Sequence, residues 1–379
     1  MCDPSSEEAR EQLVVESLLK LSGKHSVTHH EHLQPVVMQN VEFPTFPVRG
    51  PTDRLCYVIQ RYDDVPWSTG TSASRRKAMD AVMPPVSSMT FTLNNGNKLP
   101  AVGLGTYRVR QPDVIMQTVD EALAAGYRLF DTAAVYGNEG ALGDAFRKLL
   151  PKYNLEREDI FITTKLSPSE HGNSAVIKQA YQKSLHNLGV DYIDLFLIHF
   201  PGAARLPSGD LRNAKLRAST WRGMVDLYDE GCVNSIGVSN FTLKHLKELN
   251  MRATGVYPVV NQVEWHPYYY QEDLRAYCMK NEICLQAYCS FGGTSHQDTT
   301  LLKDPVVKGI AERHEATPAQ VLLAWALQQD VAVIPKSVDP ARIRENITIE
   351  FRLTEHEIKA LNNLGNKKKK YAWDPTSVR

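Results

Sequence analysis

Long apolar runs, paired cysteines and an excess of charge of either sign are all absent from this sequence. No stretch approaches the roughly 18 apolar residues of a membrane span, and the N-terminus has no secretory apolar core. The 6 cysteines show neither CxxC spacing nor the density of a disulfide scaffold. Lys+Arg and Asp+Glu both total 43, so no global field attracts nucleic acid or an anionic membrane. We therefore expect a cytoplasmic protein with neither of these partners.

A regular pattern begins near residue 89, and the residues before it have an erratic composition. We interpret 1–88 as a largely irregular, partly disordered extension with one helix over 5–21, where Ser5 and Glu8 form a capping-box pattern. The histidine tract at 25–32 has no accompanying cysteine or carboxylate pattern. A solvated polar tract is therefore favoured there over a metal site.

From residue 89 onward, strand-length apolar runs alternate with helical patterns. Asn95-Gly96 lies between two short extended runs, which predicts a hairpin that closes the floor of a barrel. The predicted strands are 101–107, 127–133, 160–166, 194–200, 234–240, 259–265, 283–289 and 331–337, and the helical patterns include 112–125, 139–150, 175–188, 220–230 and 318–328. Eight alternations favour an α/β fold of the (β/α)8 (TIM) barrel type over a doubly wound sheet. Gly103-Leu-Gly105 lacks the third glycine of a dinucleotide fingerprint.

Four polar residues lie at or just past the ends of these runs. Asp131, Lys165 and His199 each close one apolar run, and Tyr136 follows the first of them. Tyr136 and Lys165 are 29 residues apart, and Lys165 and His199 are 34 apart. Each gap is about one strand-plus-helix unit of roughly 30 residues. Because the carboxyl ends of barrel strands converge at one face, these side chains are predicted to meet there as a catalytic group.

Several sequence blocks resemble the signatures of the aldo-keto reductases. They are GYRLFDTAAVYGNE (126–139), TTKL (163–166), LIHFP (197–201), GVSN (237–240), NQVEWHPY (261–268) and IPKS…RIREN (334–346). The resemblance extends over about residues 89–379, in order. It implies a (β/α)8 barrel that reduces carbonyl groups with NADP(H), needs no metal, and uses Asp131, Tyr136, Lys165 and His199 as its catalytic tetrad.

The chemistry of carbonyl reduction fits these residue types. No side chain donates hydride, so a nicotinamide must supply it, while the protein supplies a proton. A tyrosine phenol with an ordinary pKa of about 10 is a reluctant acid. We expect Lys165 to lower the pKa of Tyr136, Asp131 to hold Lys165 in an ion pair, and His199 to orient the substrate oxygen.

The expected cofactor site follows from position and from the resemblance. Lys336 and Ser337 end the eighth strand, and the next helix carries Arg342 and Asn346. Two cations beside a helix N-terminus suit a 2′-phosphate, although a solvated helix start is the other interpretation. The resemblance places Asn346 near adenine, Ser239, Asn240 and Gln262 on the carboxamide, and Tyr288 on the ring. Thr106 and Asp131 complete the expected NADPH/NADP+ contacts.

The substrate pocket is expected to involve Tyr107, Phe200 and Trp373. The loop 201–219 contains Arg205 and Arg212, either facing solvent or meeting an anionic substrate. The short segment after Lys370 predicts a pocket open on that side, which suits small aldehydes, dicarbonyls or xenobiotic carbonyls. The four lysines 367–370 are interpreted as a solvated surface run rather than a localisation signal.

Two other functional classes remain open from the sequence. One is a regulatory barrel that binds NADPH with little turnover and uses residues 1–88 to contact a partner; an intact tetrad argues against it. The other is a metal- or phosphate-dependent barrel enzyme, which the lack of clustered strand-end ligands disfavours. We expect a monomer that acts on a small carbonyl substrate.

Overall fold

The computed structural model describes residues 85–252 and 255–379. The predicted helix at 5–21 and the histidine tract at 25–32 lie outside the described residues. The described part opens with a single 3-10 turn, Val86–Ser88, in which Val86 is buried in the hydrophobic core.

Eight parallel strands alternate with helices, as predicted for a (β/α)8 barrel. In chain order the elements are β1 (Thr90–Thr92), β2 (Lys98–Pro100), β3 (Leu104–Gly105), α1 (Pro112–Ala124), β4 (Leu129–Asp131), α2 (Glu139–Leu149), β5 (Phe161–Leu166), α3 (Ser174–Leu188), β6 (Leu195–Ile198), α4 (Arg212–Asp229), β7 (Ile236–Ser239), α5 (Leu243–Arg252), β8 (Val260–Glu264), α6 (Glu272–Lys280), β9 (Cys284–Tyr288), α7 (Pro305–Arg313), α8 (Pro318–Leu327), β10 (Val331–Val333), α9 (Pro340–Ile347) and α10 (Glu355–Asn363). Strands β3 to β10 are paired in sequence order.

The sheet closes on itself where β3 meets β10. Val102 pairs in parallel with Val333, and the amide of Gly103 donates to the Val333 carbonyl at 2.8 Å. The amide of Gly105 continues the seam by donating to the Pro335 carbonyl at 3.1 Å. The predicted closed barrel is therefore confirmed.

All eight predicted strands are present, but each is shorter than its apolar run. Strands β3 to β8 are buried along their whole length, because helices cover the outside of the sheet and side chains fill its interior. The residues trimmed from the carboxyl ends, such as His199 and Asn240, belong to the mouth instead. Among the helices of residues 85–252 and 255–379, none is both long and apolar enough to cross a membrane.

The predicted hairpin forms the floor of the barrel. β1 and β2 pair antiparallel, and Gly96 takes the left-handed conformation (φ +90°) that the turn requires. The Asn95 amide donates to the Asn234 carbonyl at 3.1 Å, so the turn is fastened to the loop before β7. Leu93 and Leu99 are buried with inward-facing side chains of the strands. In the described part of the chain, the hairpin therefore covers the end of the barrel opposite the mouth.

One predicted boundary on the mouth side is wrong. Helix α4 begins at Arg212 rather than at 220, so the loop after β6 is shorter than the 201–219 expected. The first turns of α4 have few apolar residues, and Arg217, a cation at a core-facing position, is only 2% exposed. A hydrophobic pattern cannot reveal a helical face whose buried member is charged.

Candidate active site

The ends of β4, β5 and β6 bring Asp131, Lys165 and His199 together. The ammonium of Lys165 is fully buried and lies 2.7 and 2.8 Å from the two carboxylate oxygens of Asp131. Its third partner is the Thr132 carbonyl at 2.7 Å. Three acceptors therefore match the three N–H donors of the lysine, and its position is fixed.

Burial dominates the electrostatics of this pair. It lowers the pKa of Lys165 and raises the pKa of Asp131, while the attraction between the two groups opposes both shifts. A side-chain amide adds support, because Gln262 donates to Asp131 Oδ2 at 2.7 Å. Because the pair is buried away from water, each ion is stabilised by the opposite charge of its partner.

Tyr136 lies in a 3-10 turn after β4, beside this pair. Its ring centroid is 5.1 Å from the Lys165 ammonium and 5.7 Å from the His199 ring. Burial raises the pKa of Tyr136 well above its ordinary value, and the Asp131 charge adds to this. Burial outweighs any lowering of this pKa by Lys165, so the role expected of Lys165 stays a prediction. The lysine charge is already offset by both oxygens of Asp131.

His199 follows β6, and its burial favours the neutral imidazole. Burial lowers its pKa well below the ordinary value, and the Lys165 charge contributes. Within the described part of the chain, its buried Nδ1 has no hydrogen-bond partner. The Asn240 amide donates to the His199 carbonyl at 2.9 Å and so fixes the main chain at this point. A neutral imidazole held here offers one N–H donor to a ligand oxygen.

The ends of β7, β8 and β9 place the residues expected to face a nicotinamide. Ser239 Oγ donates to the Gln262 carbonyl at 2.9 Å, and the Asn240 amide donates to Ser239 Oγ at 3.1 Å. The Tyr288 hydroxyl donates to Asn240 Oδ1 at 2.5 Å. Asn240 adopts a left-handed main chain (φ +63°), a strained conformation of the kind found at ligand sites. The structure therefore brings all four residues together beside Asp131.

A second group of expected cofactor residues follows β10. Lys336 and Arg342 are exposed, and no carboxylate of residues 85–252 or 255–379 pairs with either. Desolvation lowers the pKa of Lys336, and the Arg108 charge lowers it further. Asp339 caps α9 by accepting from the Arg342 amide at 3.0 Å. The cap occupies one helix N–H group, and the two side-chain cations are the charges that an anion would meet here.

The remaining expected cofactor residues are buried near these groups. Thr106 Oγ1 donates to the Asp131 carbonyl at 2.8 Å, which connects β3 to the tetrad. Ser337 and Asn346 are also buried. Ser337 Oγ accepts from the Asp339 amide at 3.1 Å and so shapes the turn into α9.

Two residues of this region were not predicted as site residues. Ser290 follows β9, and its buried Oγ has no hydrogen-bond partner among the described residues. Arg108 donates to the Ser295 carbonyl at 2.8 Å, which ties the loop 291–301 across the mouth. An unsatisfied buried hydroxyl at a strand end fits a bound polar group. The residues present therefore suit an anionic dinucleotide.

The expected substrate-pocket residues are arranged around His199. Tyr107 lies 5.2 Å from the Tyr136 ring, and Trp373 lies 5.4 Å from the His199 ring. Phe200 is 0% exposed and packs behind Trp373, at 6.3 Å. Trp373, which is partly exposed, therefore lines the C-terminal side of the expected pocket, and the openness of the pocket there stays a prediction.

Three further expectations about charged residues can be compared with the structure. Arg205 donates to the His171 carbonyl at 2.9 Å, and Arg212 pairs with Asp210 at 2.6 Å on the surface. The interpretation of 367–370 as a solvated run holds for Lys367 and Lys368, which are exposed, but not for the whole run. Three of those lysines are ion-paired, with Asp304, Asp298 and Glu264. Among the described residues, no His, Cys, Asp and Glu side chains cluster in a way that could hold a metal ion.

Comparison with known proteins identifies relatives of the whole barrel. A model of the aldo/keto reductase family matches residues 101–366. Aldo-keto reductase family 1 member A1 of Gallus gallus is 39% identical over 74% of this chain and 89% of its own length. A D/L-glyceraldehyde reductase of Hypocrea jecorina is 40% identical over 75% of this chain and 90% of its own length. The crystal structure of a Bombyx mori aldo-keto reductase in complex with NADP has a TM-score of 0.69 at 34% identity, covering 75% of this chain and 94% of that one.

Proposed function

This chain belongs to the aldo/keto reductase family, and from that premise we propose that it reduces aldehydes and ketones to alcohols with NADPH, as an oxidoreductase of the alcohol dehydrogenase (NADP+) type. The observation that carries the proposal is the buried Lys165–Asp131 pair at 2.7 Å with Tyr136 against it. A barrel that only bound NADPH would have no use for a buried acid group of this kind, and no observation favours the regulatory alternative.

Reduction of a carbonyl group needs a hydride and a proton, and the four residues are proposed to divide the work of delivering the proton. When bound at this site, NADPH would supply the hydride for the carbonyl carbon. Tyr136 gives its proton to the carbonyl oxygen, and His199 donates a hydrogen bond that orients this oxygen. A tyrosine phenol with its ordinary pKa of about 10 is already protonated at neutral pH, so Tyr136 has a proton to give when the oxygen becomes negative. Lys165, held by Asp131, then stabilises the phenolate that remains.

The proposed cofactor contacts divide into two groups. Ser239, Asn240, Gln262 and Tyr288 would hold the nicotinamide end near Asp131 and Thr106, and Lys336, Ser337, Arg342 and Asn346 would hold the adenosine end. Lys336 and Arg342, which pair with no carboxylate among the described residues, support this assignment, because a 2′-phosphate distinguishes NADPH from NADH. The unsatisfied Ser290 hydroxyl offers a further donor between the two groups.

We predict that Arg342→Ala weakens NADPH binding roughly tenfold to hundredfold, because a charge-assisted contact to phosphate is typically worth about 1.5–3 kcal/mol. NADH binding should change little, and fluorescence titration with both cofactors measures the difference. Arg344→Ala is the matched control. Arg344 lies on the same helix but pairs with Glu121 at 2.5 Å and should leave both affinities unchanged. Equal losses for NADH and NADPH in Arg342→Ala would contradict the assignment.

The proposed substrates are small aldehydes, dicarbonyls or xenobiotic carbonyls. Tyr107 and Trp373 supply aromatic walls on two sides of His199, with Phe200 behind Trp373. Walls of this kind favour a compact apolar or planar group next to the carbonyl. The similarity to a D/L-glyceraldehyde reductase supports a small substrate.

We also propose a cytoplasmic, monomeric enzyme. A reducing compartment fits the free cysteines Cys232, Cys278, Cys284 and Cys289 of the described part. One chain supplies all eight strands and every residue of the proposed site. No second subunit is needed to complete either.

Residues 1–84 are proposed to serve localisation or partner binding, whereas Val86, which the sequence analysis assigns to the extension, is buried in the barrel core. We predict that a chain starting at Pro85, which keeps the buried Val86, folds, binds NADPH and retains most of its activity. The floor hairpin lies at the end opposite the mouth, so a segment attached there has no short route to the site. Circular dichroism, NADPH titration and turnover of the shortened chain measure this. Aggregation or loss of most turnover would show that the extension completes the barrel.

A further inference from the structure

The carboxylate of Glu264, at the end of β8, holds a segment far along the chain. Its side chain is 1% exposed, yet both oxygens are fully used. Oε1 accepts from the Tyr371 amide at 2.6 Å and from His266 Nε2 at 3.0 Å. Oε2 accepts from the Ala372 amide at 2.9 Å and from the Lys370 ammonium. Three of the four donors therefore come from three consecutive residues.

This carboxylate is ionised despite its burial. Burial by itself would raise the pKa of Glu264, but the hydrogen bond from His266 and the Lys370 charge lower it to about 2. Charge-assisted hydrogen bonds are roughly twice as strong as neutral ones. The attachment of residues 370–372 to the barrel is therefore a strong one.

The residues 370–379, here named the C-terminal strap, are fastened at a second point. The Val378 carbonyl accepts from His245 Nε2 at 3.0 Å, and the Arg379 amide donates to the Ser208 carbonyl at 2.9 Å. Arg217, the buried cation of α4, donates to the Arg379 main-chain oxygen at 3.1 Å. The C-terminal strap therefore runs between β8 and α4, and it is attached to the barrel near both of its ends.

Trp373 lies directly after the residues that Glu264 holds. Its ring is 5.4 Å from the His199 ring and 6.3 Å from that of Phe200, which in turn packs against Val378. The position of the indole therefore depends on two contacts. The residues before it in sequence are held by Glu264, and its ring packs against Phe200. Loss of the first attachment frees the main chain on one side of the indole.

We propose that Glu264 is a positioning residue that determines substrate specificity, because it fixes residues 370–372 and thereby holds Trp373 as a wall beside His199. This inference rests on the proposed carbonyl reduction. The β8 ladder itself is made of main-chain hydrogen bonds to β7 and β9, so the Glu264 side chain is not needed to form the strand. Its hydrogen bonds serve the C-terminal strap and His266.

The test is Glu264→Gln. This change keeps the shape of the side chain but replaces one acceptor oxygen with an amide N–H₂ group, which faces the N–H donors and cannot accept from them. Hydrogen exchange followed by mass spectrometry should show faster exchange at the Tyr371 and Ala372 amides. KM for an aromatic aldehyde such as benzaldehyde should rise about two- to tenfold, the value of a lost aromatic contact, with a smaller change in kcat. The effect should vanish in a Trp373→Ala background, because both changes remove the same wall.

Glu357→Gln is the matched control. Glu357 is also a buried carboxylate whose pKa is lowered to about 2, opposed by burial and held by His314 and Thr354, but it lies on α10 and contacts no residue of the C-terminal strap. The Glu357→Gln variant should have a lower free energy of unfolding. Hydrogen exchange at the amides of residues 371 and 372 and the KM for the aldehyde should stay at the wild-type values.

Three results would overturn the proposal: unchanged exchange in Glu264→Gln, a KM effect that adds in full to that of Trp373→Ala, or an equal effect in Glu357→Gln. A wild-type protein that reduces no carbonyl would contradict the proposed function instead. The exchange rates would then decide by themselves whether Glu264 positions the C-terminal strap.

Discussion

Tyr136→Phe is expected to lower kcat/KM for carbonyl reduction by about 10²–10⁴-fold, the usual contribution of a positioned general acid. The change removes one oxygen atom and leaves the ring in contact with Tyr107 and His199. Because the hydroxyl acts on the substrate oxygen, the Kd of NADPH should remain close to the wild-type value. Steady-state kinetics with an aldehyde and fluorescence titration with NADPH measure the two effects separately.

Tyr153→Phe is the matched control for loss of a tyrosine hydroxyl. The Tyr153 hydroxyl donates to Asp120 at 2.7 Å, in the turn between α2 and β5, which lies at the floor end of the barrel. This variant should retain wild-type turnover. Near-normal turnover in Tyr136→Phe would instead mean that another group delivers the proton, and the assignment of the tetrad would be wrong.

Lys165→Met is expected to cost about 3–5 kcal/mol of unfolding free energy, the range found when one partner of a buried ion pair is removed. Asp131 would keep its burial and lose both hydrogen bonds from the ammonium. Carbonyl reduction should also fall strongly, because no cation would stabilise the phenolate of Tyr136. Urea denaturation gives the stability, and kinetics on the folded fraction give the activity.

Lys152→Met provides the comparison for a lysine in an exposed ion pair. Lys152 lies 2.7 Å from Asp120, but the two side chains are 54% and 34% exposed. Removal of an exposed pair usually costs about 0–1 kcal/mol. If both variants lost the same small free energy of unfolding, the buried Lys165–Asp131 pair would contribute no more to stability than the exposed pair.

The barrel and the convergence of Asp131, Tyr136, Lys165 and His199 were predictable because their signals are local. Each of β4, β5 and β6 reads as an apolar run that stops at a polar residue, and the spacing of Asp131, Lys165 and His199 follows from the strand-plus-helix repeat. The floor hairpin was equally clear from Asn95-Gly96, since a single pair of residues determines the turn.

The features that the sequence did not reveal depend on contacts between distant segments. Nothing near residue 212 indicates a helix, because Arg217 is buried through contacts with distant segments, among them Pro201, Glu248 and Arg379. The lysines at 367–370 read as a surface run until the fold brings acidic partners to them. The raised pKa of Tyr136 depends on burial, which no local pattern states. Glu264 was detectable in principle, as a carboxylate at a strand end like Asp131.

Transfer of deuterium from NADPH labelled at C4 of the nicotinamide tests the central claim most directly. The protein is incubated with deuterated NADPH and a small aldehyde, and the product is examined by mass spectrometry. We predict an alcohol that carries deuterium on the former carbonyl carbon for the wild-type protein, and almost none for Tyr136→Phe. Binding of NADPH without any deuterated alcohol, across a panel of aldehydes, dicarbonyls and ketones, would contradict the account and favour a barrel that binds the cofactor without turnover.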